Sequence, residues 1–278
     1  MSELFDRLLR SKDLPTIPVL HQQIVTLIKK DNYSENDVAG LLEKDQVMAS
    51  KLLKLVNSPF YGVFGRVASV KRATMLLGAN LLNGFVMSAT LFNSNDKSVL
   101  GLWDHSYCCS TVAGYMAKRL GLKTAEEVMT GALLHDLGKV LIRRQLPEET
   151  LAIEEAAKSN RITTLDAEKM VIGISHAEVG IWLAEQWNLP KIISDLIGYH
   201  HSPSLCSGHL KEAAIVHISD IIVKGIGITS SADLFVPPLD EKALTILALS
   251  EEDLMDIVTE IVHKVETDEM FSKYLPQN

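Results

Sequence analysis

The chain has 278 residues, of which 47% are hydrophobic, so it can bury the core of one large domain or two ordinary ones. Its net charge of −8 at pH 7 argues against nucleic-acid binding, which depends on a positive field. No apolar run reaches the roughly 18 residues that a membrane span needs, and the acidic start at residues 1–6 does not resemble a signal peptide. We therefore expect a cytoplasmic protein without nucleic-acid or membrane partners.

Apolar residues recur at helical spacing along most of the chain, as in Leu20, Ile24 and Leu27. Glycines at positions 78, 121 and 225 follow such stretches, where a helix commonly ends in a left-handed residue. Sustained two-residue alternation, which would indicate strands, is absent from the sequence. The pattern predicts an all-α protein. Four capping-box patterns mark helix starts: Ser34-x-x-Asp37, Thr124-x-x-Glu127, Ser175-x-x-Glu178 and Ser250-x-x-Asp253.

Two breaks divide the predicted helices. A polar stretch at residues 93–98 interrupts the apolar pattern, and a loop from Gly225 to Asp240 carries glycine, serine and a Pro-Pro pair. We expect an N-terminal helical subdomain at 1–97, a helical core at 98–224 and a C-terminal helical extension at 225–278. Because the first break is short, the first two parts should pack together.

The three cysteines, Cys108, Cys109 and Cys206, cannot all pair within one chain, and the sequence contains no Cys-x-x-Cys motif. A reducing compartment fits this cysteine usage. Since none of the three lies in a recognisable nucleophile motif, we expect them to be small core residues.

Histidines and aspartates lie on the predicted helices or at their ends. His135 and Asp136 close the apolar helix that contains Gly131, and an adjacent buried His-Asp pair is costly unless its polar groups are satisfied. A divalent metal would satisfy them, because imidazole nitrogen and carboxylate oxygen are suitable ligands. For any single histidine, a hydrogen bond to a backbone carbonyl is the favoured interpretation, and only the ordered set favours a metal site. The other candidates in chain order are His105, His176, His200, His201 and Asp220.

This ordered series resembles the ligand series of the HD metal-dependent phosphohydrolases, particularly the HD-GYP branch, and residues 135–139 are similar to that branch's HD-x-GK signature. The resemblance implies an HD-domain-like helical bundle with two divalent ions, drawn from Fe, Mn, Ni and Zn. It also implies catalytic roles for Asp136, as the bridge between the ions, and for Lys139, whose ammonium would face the substrate phosphate. The implied ligands are His105, His135, Asp136 and Asp220 for one ion, and His176, His200 and His201 for the other.

The N-terminal half adds a narrower resemblance. Residues 14–18, Asp45, residues 52–62 and residues 69–78 are similar to the first half of HDOD domains, and the segment Asn57-Ser-Pro-Phe-Tyr-Gly62 is the most specific part. Residues 176–180 and 187–190 continue the likeness. The resemblance implies a bacterial signal-transduction protein with an N-terminal helical subdomain.

Two functions stay open at this point. The first is a metal-dependent phosphohydrolase that acts on a nucleotide or another phosphate ester. The second is a non-catalytic regulatory module that uses the HD fold as a scaffold to bind signalling proteins. Residues 202–206 stand where the HD-GYP branch has its glutamate and glycine-rich turn, and the Gly-Tyr-Pro stretch is missing. This departure argues against cyclic di-GMP as the substrate and leaves the metal prediction unaffected.

Two further residues are predicted to support the ligands. Glu168 precedes His176 by two helical turns and could orient its ring. His217 lies one turn before Asp220 on the same predicted helix face and could act in the same way.

Overall fold

The structure is a computed structural model, and it describes residues 23–24, 26–27, 35–44, 46–58, 67–91, 101–187, 189–229, 233, 235–265 and 271. Within these ranges there are thirteen α-helices with defined ends and no β-strand, so the all-α prediction is confirmed. The helices are α1 Glu35–Leu42, α2 Gln46–Asn57, α3 Val70–Leu91, α4 Leu102–Arg119, α5 Ala125–Leu134, α6 Leu137–Gln145, α7 Pro147–Asn160, α8 Thr164–Ile172, α9 His176–Gln186, α10 Lys191–Tyr199, α11 Leu210–Gly225, α12 Glu241–Leu247 and α13 Glu251–Val265.

Two of the predicted capping boxes are confirmed. Ser175 accepts a hydrogen bond from the Glu178 backbone N–H, and the Glu178 side chain accepts one from the Ser175 backbone, so α9 begins at His176. Ser250 and Asp253 make the same reciprocal pair at the start of α13. Each box satisfies two N–H groups that a helix leaves unpaired. The pattern at Ser34 lies outside the described residues.

Helix α5 begins directly after Thr124, as predicted, but the Thr124 side chain makes no cap hydrogen bond, and its hydroxyl donates to Glu212 on α11 at 2.9 Å. Gly78 has non-helical φ and ψ of 69° and 166°, so it ends the first helical stretch of α3, as predicted, and a second stretch follows it. The prediction at Gly225 differs from the structure. Helix α11 continues through Gly225, and the left-handed residue beyond it is Gly227 at φ 88°. Gly121, at φ 70°, follows α4 as predicted.

Asn57, the last residue of α2, connects two parts of the chain. Its side-chain amide donates to the carbonyls of Leu53 at 2.8 Å and Val67 at 2.7 Å, and its Oδ1 accepts from the Val67 backbone N–H at 2.7 Å. The side chain therefore satisfies the end of α2 and fixes where the chain returns at residue 67. Tyr61 and Gly62 of the same motif lie outside the described residues.

Helix α5 is central to the packing, since it contacts α3, α4, α10 and α11. Helices α7 and α8 pack on each other, and α6 packs on α9. One cluster of buried apolar side chains begins at Ile24 and ends at Phe271, and it includes Phe85 and Val112. Residues from all three predicted segments therefore share one apolar core.

The predicted division at 97/98 falls outside the described residues, and the one at 224/225 falls at the last turn of α11. The division into three parts stays a prediction. Within the described part of the chain, no helix combines the length and the hydropathy needed to cross a membrane.

Candidate metal centre

The seven predicted ligands come from five places in the sequence and meet in the interior. His105 lies on α4, and His135 and Asp136 form the turn between α5 and α6. His176 begins α9, His200 and His201 follow α10, and Asp220 lies on α11. Six of the seven side chains are buried, and His201 is half-buried.

One group of ligands surrounds Asp220. Its Oδ1 lies 3.0 Å from His105 Nε2 and 3.7 Å from His135 Nε2. Asp136 Oδ2 lies 3.8 Å from His105 Nε2 and 3.5 Å from His135 Nε2. We call these four residues the aspartate half of the site.

The other group consists of three imidazole rings. His176 Nε2 lies 3.3 Å from His200 Nε2 and 3.0 Å from His201 Nε2. We call these three residues the histidine half. The two halves meet at Asp136, whose other oxygen, Oδ1, lies 3.4 Å from His176 Nε2 and 3.9 Å from His200 Nε2. One carboxylate thus presents one oxygen to each half, as a bridging ligand must.

Backbone and carboxylate acceptors orient four of the rings. Each of these rings directs Nδ1 at an acceptor, so Nδ1 carries the proton and the Nε2 lone pair faces the cluster. Glu168 accepts from His176 at 2.6 Å, as its predicted orienting role requires. The backbone acceptors are Ile228 O for His105 at 2.9 Å, Ala132 O for His135 at 2.7 Å and Ile197 O for His200 at 2.6 Å.

His217 holds the backbone next to the cluster in place. Its Nδ1 donates to the carbonyl of His200 at 2.8 Å, and its Nε2 accepts from the backbone N–H of Asp240 at 2.9 Å. The ring is neutral in this arrangement, because a second proton would remove the acceptor. It fixes the end of α10 to α11 and to the start of α12.

Burial and the neighbouring rings set the protonation of the histidine half. Burial, together with His135 and His176, holds the pKa of His200 well below the ordinary range of histidine. Burial, together with His200 and His176, does the same to the pKa of His201. Both rings are therefore neutral near pH 7 and able to donate a lone pair.

The aspartate half is electrostatically different. Burial lowers the pKa of His135, but the carboxylates of Asp136 and Asp220 outweigh it and raise the pKa overall. Burial acts to raise the pKa of Asp136, yet His135 and Lys139 hold this pKa well below its usual range. Lys224 and the histidines do the same for Asp220. Both carboxylates are ionised in the interior.

Four contacts of this site were not expected from the sequence. Lys224 donates to Asp220 at 2.8 Å, and Asp233 accepts from Lys139 at 2.7 Å. Lys139 also donates to Asp136 at 2.9 Å, so its ammonium lies between two carboxylates. Cys109, expected to be a core residue, is buried but places its sulfur 3.6 Å from His105 Nε2. Three of these contacts had a signal in the sequence, because Lys224 is at i+4 from Asp220, Lys139 at i+3 from Asp136 and Cys109 at i+4 from His105. The contact with Asp233 had none.

The residues fit a divalent cation. His135 Nε2 and Asp136 Oδ1 are buried and have no hydrogen-bond partner among the described residues, which is costly without a cation. The buried network also contains four carboxylates, Asp136, Asp220, Asp233 and Glu168, against only two ammonium groups, Lys139 and Lys224. Imidazole nitrogen with carboxylate oxygen is a donor set for Zn, Fe, Mn or Ni.

Comparison with known proteins places the chain in a family. The pattern of the HDOD domain matches residues 14–203. The chain belongs to the HDOD family. Six of the predicted ligands lie within the matched range of this HDOD protein, whereas Asp220 and its partner Lys224 lie beyond it.

Solved structures share the fold. An HDOD domain protein with unknown function from Geobacter sulfurreducens is 26% identical, with a TM-score of 0.72 over 98% of both chains. A Shewanella amazonensis protein, named as a proposed phosphohydrolase, is 20% identical, with a TM-score of 0.68 over 97% of this chain and 98% of its own.

One relative is similar in sequence. An uncharacterised Treponema pallidum protein is 27% identical over 201 residues, which cover 69% of this chain but only 38% of the relative.

Proposed function

We propose that this HDOD protein binds two divalent metal ions and hydrolyses a phosphate ester, with nucleotides among the candidate substrates. The observation that carries the proposal is the position of Asp136, which presents one oxygen to the aspartate half and the other to the histidine half. The name of the Shewanella relative points in the same direction. Two ions, when bound, supply Lewis-acid activation of water and of phosphate oxygens.

The protein's own residues prepare the site. Glu168 and three backbone carbonyls fix the rings so that Nε2 faces inward. Lys139 restrains Asp136 through a 2.9 Å ion pair and supplies positive charge where a phosphate would bind. The burial of the ligands excludes bulk water, which strengthens every electrostatic contact in the site.

A small cavity lies next to the cluster, between α6, α7 and α8. Its volume is about 20 Å³, room for about one water molecule. Its charged lining consists of Lys139, Arg143, Glu154 and Glu168. The rest of the lining is Ile142, Thr150, Ile153 and Thr164. Pockets for drug-sized ligands usually exceed about 300 Å³. A phosphate ester would therefore bind beside Lys139 only if the helices around this cavity moved apart.

A regulatory module without catalysis is the second candidate. Its supporting observation is the burial of the ligands: His105, His135 and His200 are all 0% exposed. A closed site can hold ions that stabilise the fold without admitting a substrate. Signalling proteins would then be the partners, as the family resemblance implies.

The experiment combines metal content with phosphate release. Protein purified anaerobically with Mn and Fe is assayed against mononucleotides, cyclic dinucleotides and phosphomonoesters. Asp136→Ala should lose more metal than any single histidine substitution, because Asp136 faces both halves. Lys139→Ala should lower phosphate release by roughly 10²-fold at matched metal occupancy.

Asp195→Ala is the matched control. Asp195 is a buried carboxylate that pairs with Lys191 and His209, and it lies outside the proposed metal site. It should keep its metal. Full metal occupancy without phosphate release from any substrate would support the regulatory module. Absence of metal from the wild-type protein would remove the basis of the catalytic proposal.

A further inference from the structure

Cys109 lies one helical turn after His105 on α4, so both side chains project from the same face of the helix. The Cys109 sulfur is 3.6 Å from His105 Nε2. The sulfur and the ligand atoms of His105, His135 and Asp220 all lie within 4.8 Å of one another, and all four residues are fully buried. The thiol is therefore part of the aspartate half of the site.

The atoms that face this sulfur are electron-pair donors. His135 Nε2 is buried without a hydrogen-bond partner among the described residues. His105 Nδ1 donates to Ile228 O, which leaves the lone pair of the neutral ring on Nε2. In that state Nε2 and Asp220 Oδ1, which lie 3.0 Å apart, are both acceptors. A bound metal ion would bring these atoms into favourable contact.

We propose that Cys109 is a thiolate ligand to the metal ion of the aspartate half, together with His105, His135, Asp136 and Asp220. The proposal rests on the proposed metal site. On binding, the S–H bond of Cys109 is replaced by a sulfur–metal bond and the proton is released to solvent. Cysteine coordinates its metal as the thiolate.

This ligand makes the two halves chemically unequal. A set of two imidazoles, one thiolate and two carboxylates favours Zn²⁺ or Fe²⁺ over the harder Mn²⁺ and Mg²⁺. Among the described residues, no cysteine joins His176, His200 and His201 in the histidine half. We expect the aspartate half to retain zinc more firmly, and oxidation of Cys109 to weaken that retention.

Cobalt substitution tests the sulfur ligand directly. Wild-type protein loaded with Co²⁺ should show a sulfur-to-cobalt charge-transfer band in the near ultraviolet. Cys109→Ser should lose this band while still binding cobalt. Cys108→Ser is the matched control, because Cys108 is an equally buried neighbour on α4, and it should retain the band.

X-ray absorption of the zinc-loaded wild type needs no variant and covers the case in which Cys109→Ser fails to fold. It should show a sulfur neighbour at about 2.3 Å, the usual Zn–S distance. Bound metal without a sulfur neighbour or a charge-transfer band would overturn the role of Cys109 and leave the proposed metal site standing. Failure to bind zinc or cobalt at all would overturn both.

Discussion

The orientation of each imidazole ring decides what a histidine of this site can bind. Glu168 and backbone carbonyls accept hydrogen bonds from the Nδ1–H groups of four rings, so the Nε2 lone pairs point toward Asp136 and Asp220. The sequence gives residue types and spacing but not ring orientation. It therefore predicted the seven ligands without their acceptors, apart from Glu168, whose spacing from His176 indicated an orienting role.

His217 makes the stability of the metal-free protein depend on pH. Burial lowers the pKa of His217 below its unfolded value of about 6.5. As pH falls below about 6.5, the unfolded chain takes up a proton that the folded chain refuses, so the free energy of unfolding decreases. One such group contributes up to about 1.4 kcal/mol per pH unit until the folded pKa is reached. His200 and His201 act in the same direction, and His135, whose pKa is raised, acts in the opposite one.

His217→Gln isolates this contribution, because an amide can both donate and accept and does not titrate. We expect the wild type to lose more stability than His217→Gln between about pH 7.5 and about pH 5.5. Urea unfolding of metal-free protein at both values measures the difference. His263→Gln, on the exposed face of α13, should follow the wild type. Equal losses for the wild type and His217→Gln would show that His217 does not titrate in this way.

The position of His176 depends on how closely α6 and α9 approach each other. A Cβ on Gly138 would lie 1.9 Å from the carbonyl oxygen of His176 and 2.9 Å from the backbone nitrogen of Gly180. Both atoms belong to the backbone and cannot yield as a flexible side chain can. The glycine in the HD-x-GK segment therefore lets α6 reach α9 and brings Lys139 and His176 into one site.

Gly138→Ala should force these helices apart. We expect a loss of at least about 2 kcal/mol in the free energy of unfolding, and lower metal content because His176 moves. Denaturant unfolding and metal analysis measure the two effects. Gly40→Ala is the matched control, since Gly40 lies in α1 with no atom within 4 Å of the added Cβ. It should be neutral or stabilising by up to ~1 kcal/mol. A stable Gly138→Ala protein with full metal content would contradict the close-packing argument.

Capping hydrogen bonds were predicted well where both partners are local and poorly where a distant partner competes. Ser175 and Glu178 are three residues apart, so their reciprocal hydrogen bonds can be recognised in the sequence. Thr124 has the same local pattern, but Glu212 on α11 takes its hydroxyl. A competitor 88 residues away cannot be read from a four-residue motif.

The continuous apolar core bears on how the whole molecule unfolds. Buried side chains from Ile24 to Phe271 belong to one cluster, including Phe85 and Val112 on either side of the predicted boundary at 97/98. We expect one cooperative transition for metal-free protein, with tryptophan fluorescence and far-ultraviolet circular dichroism changing together. Two separated transitions, or two stable fragments after limited proteolysis, would contradict this expectation.

The sequence by itself determined the helical class, the HDOD family and the candidate ligand residues, because periodicity, family motifs and residue order are all written along the chain. Only the tertiary structure showed that Asp136 faces both halves, that Lys139 lies between Asp136 and Asp233, and that Cys109 adjoins His105. These contacts join residues on different helices and loops, or depend on which way a helix face turns. The packing of the whole chain decides which helices and loops meet and which face of a helix points inward. No short segment of the sequence contains this information.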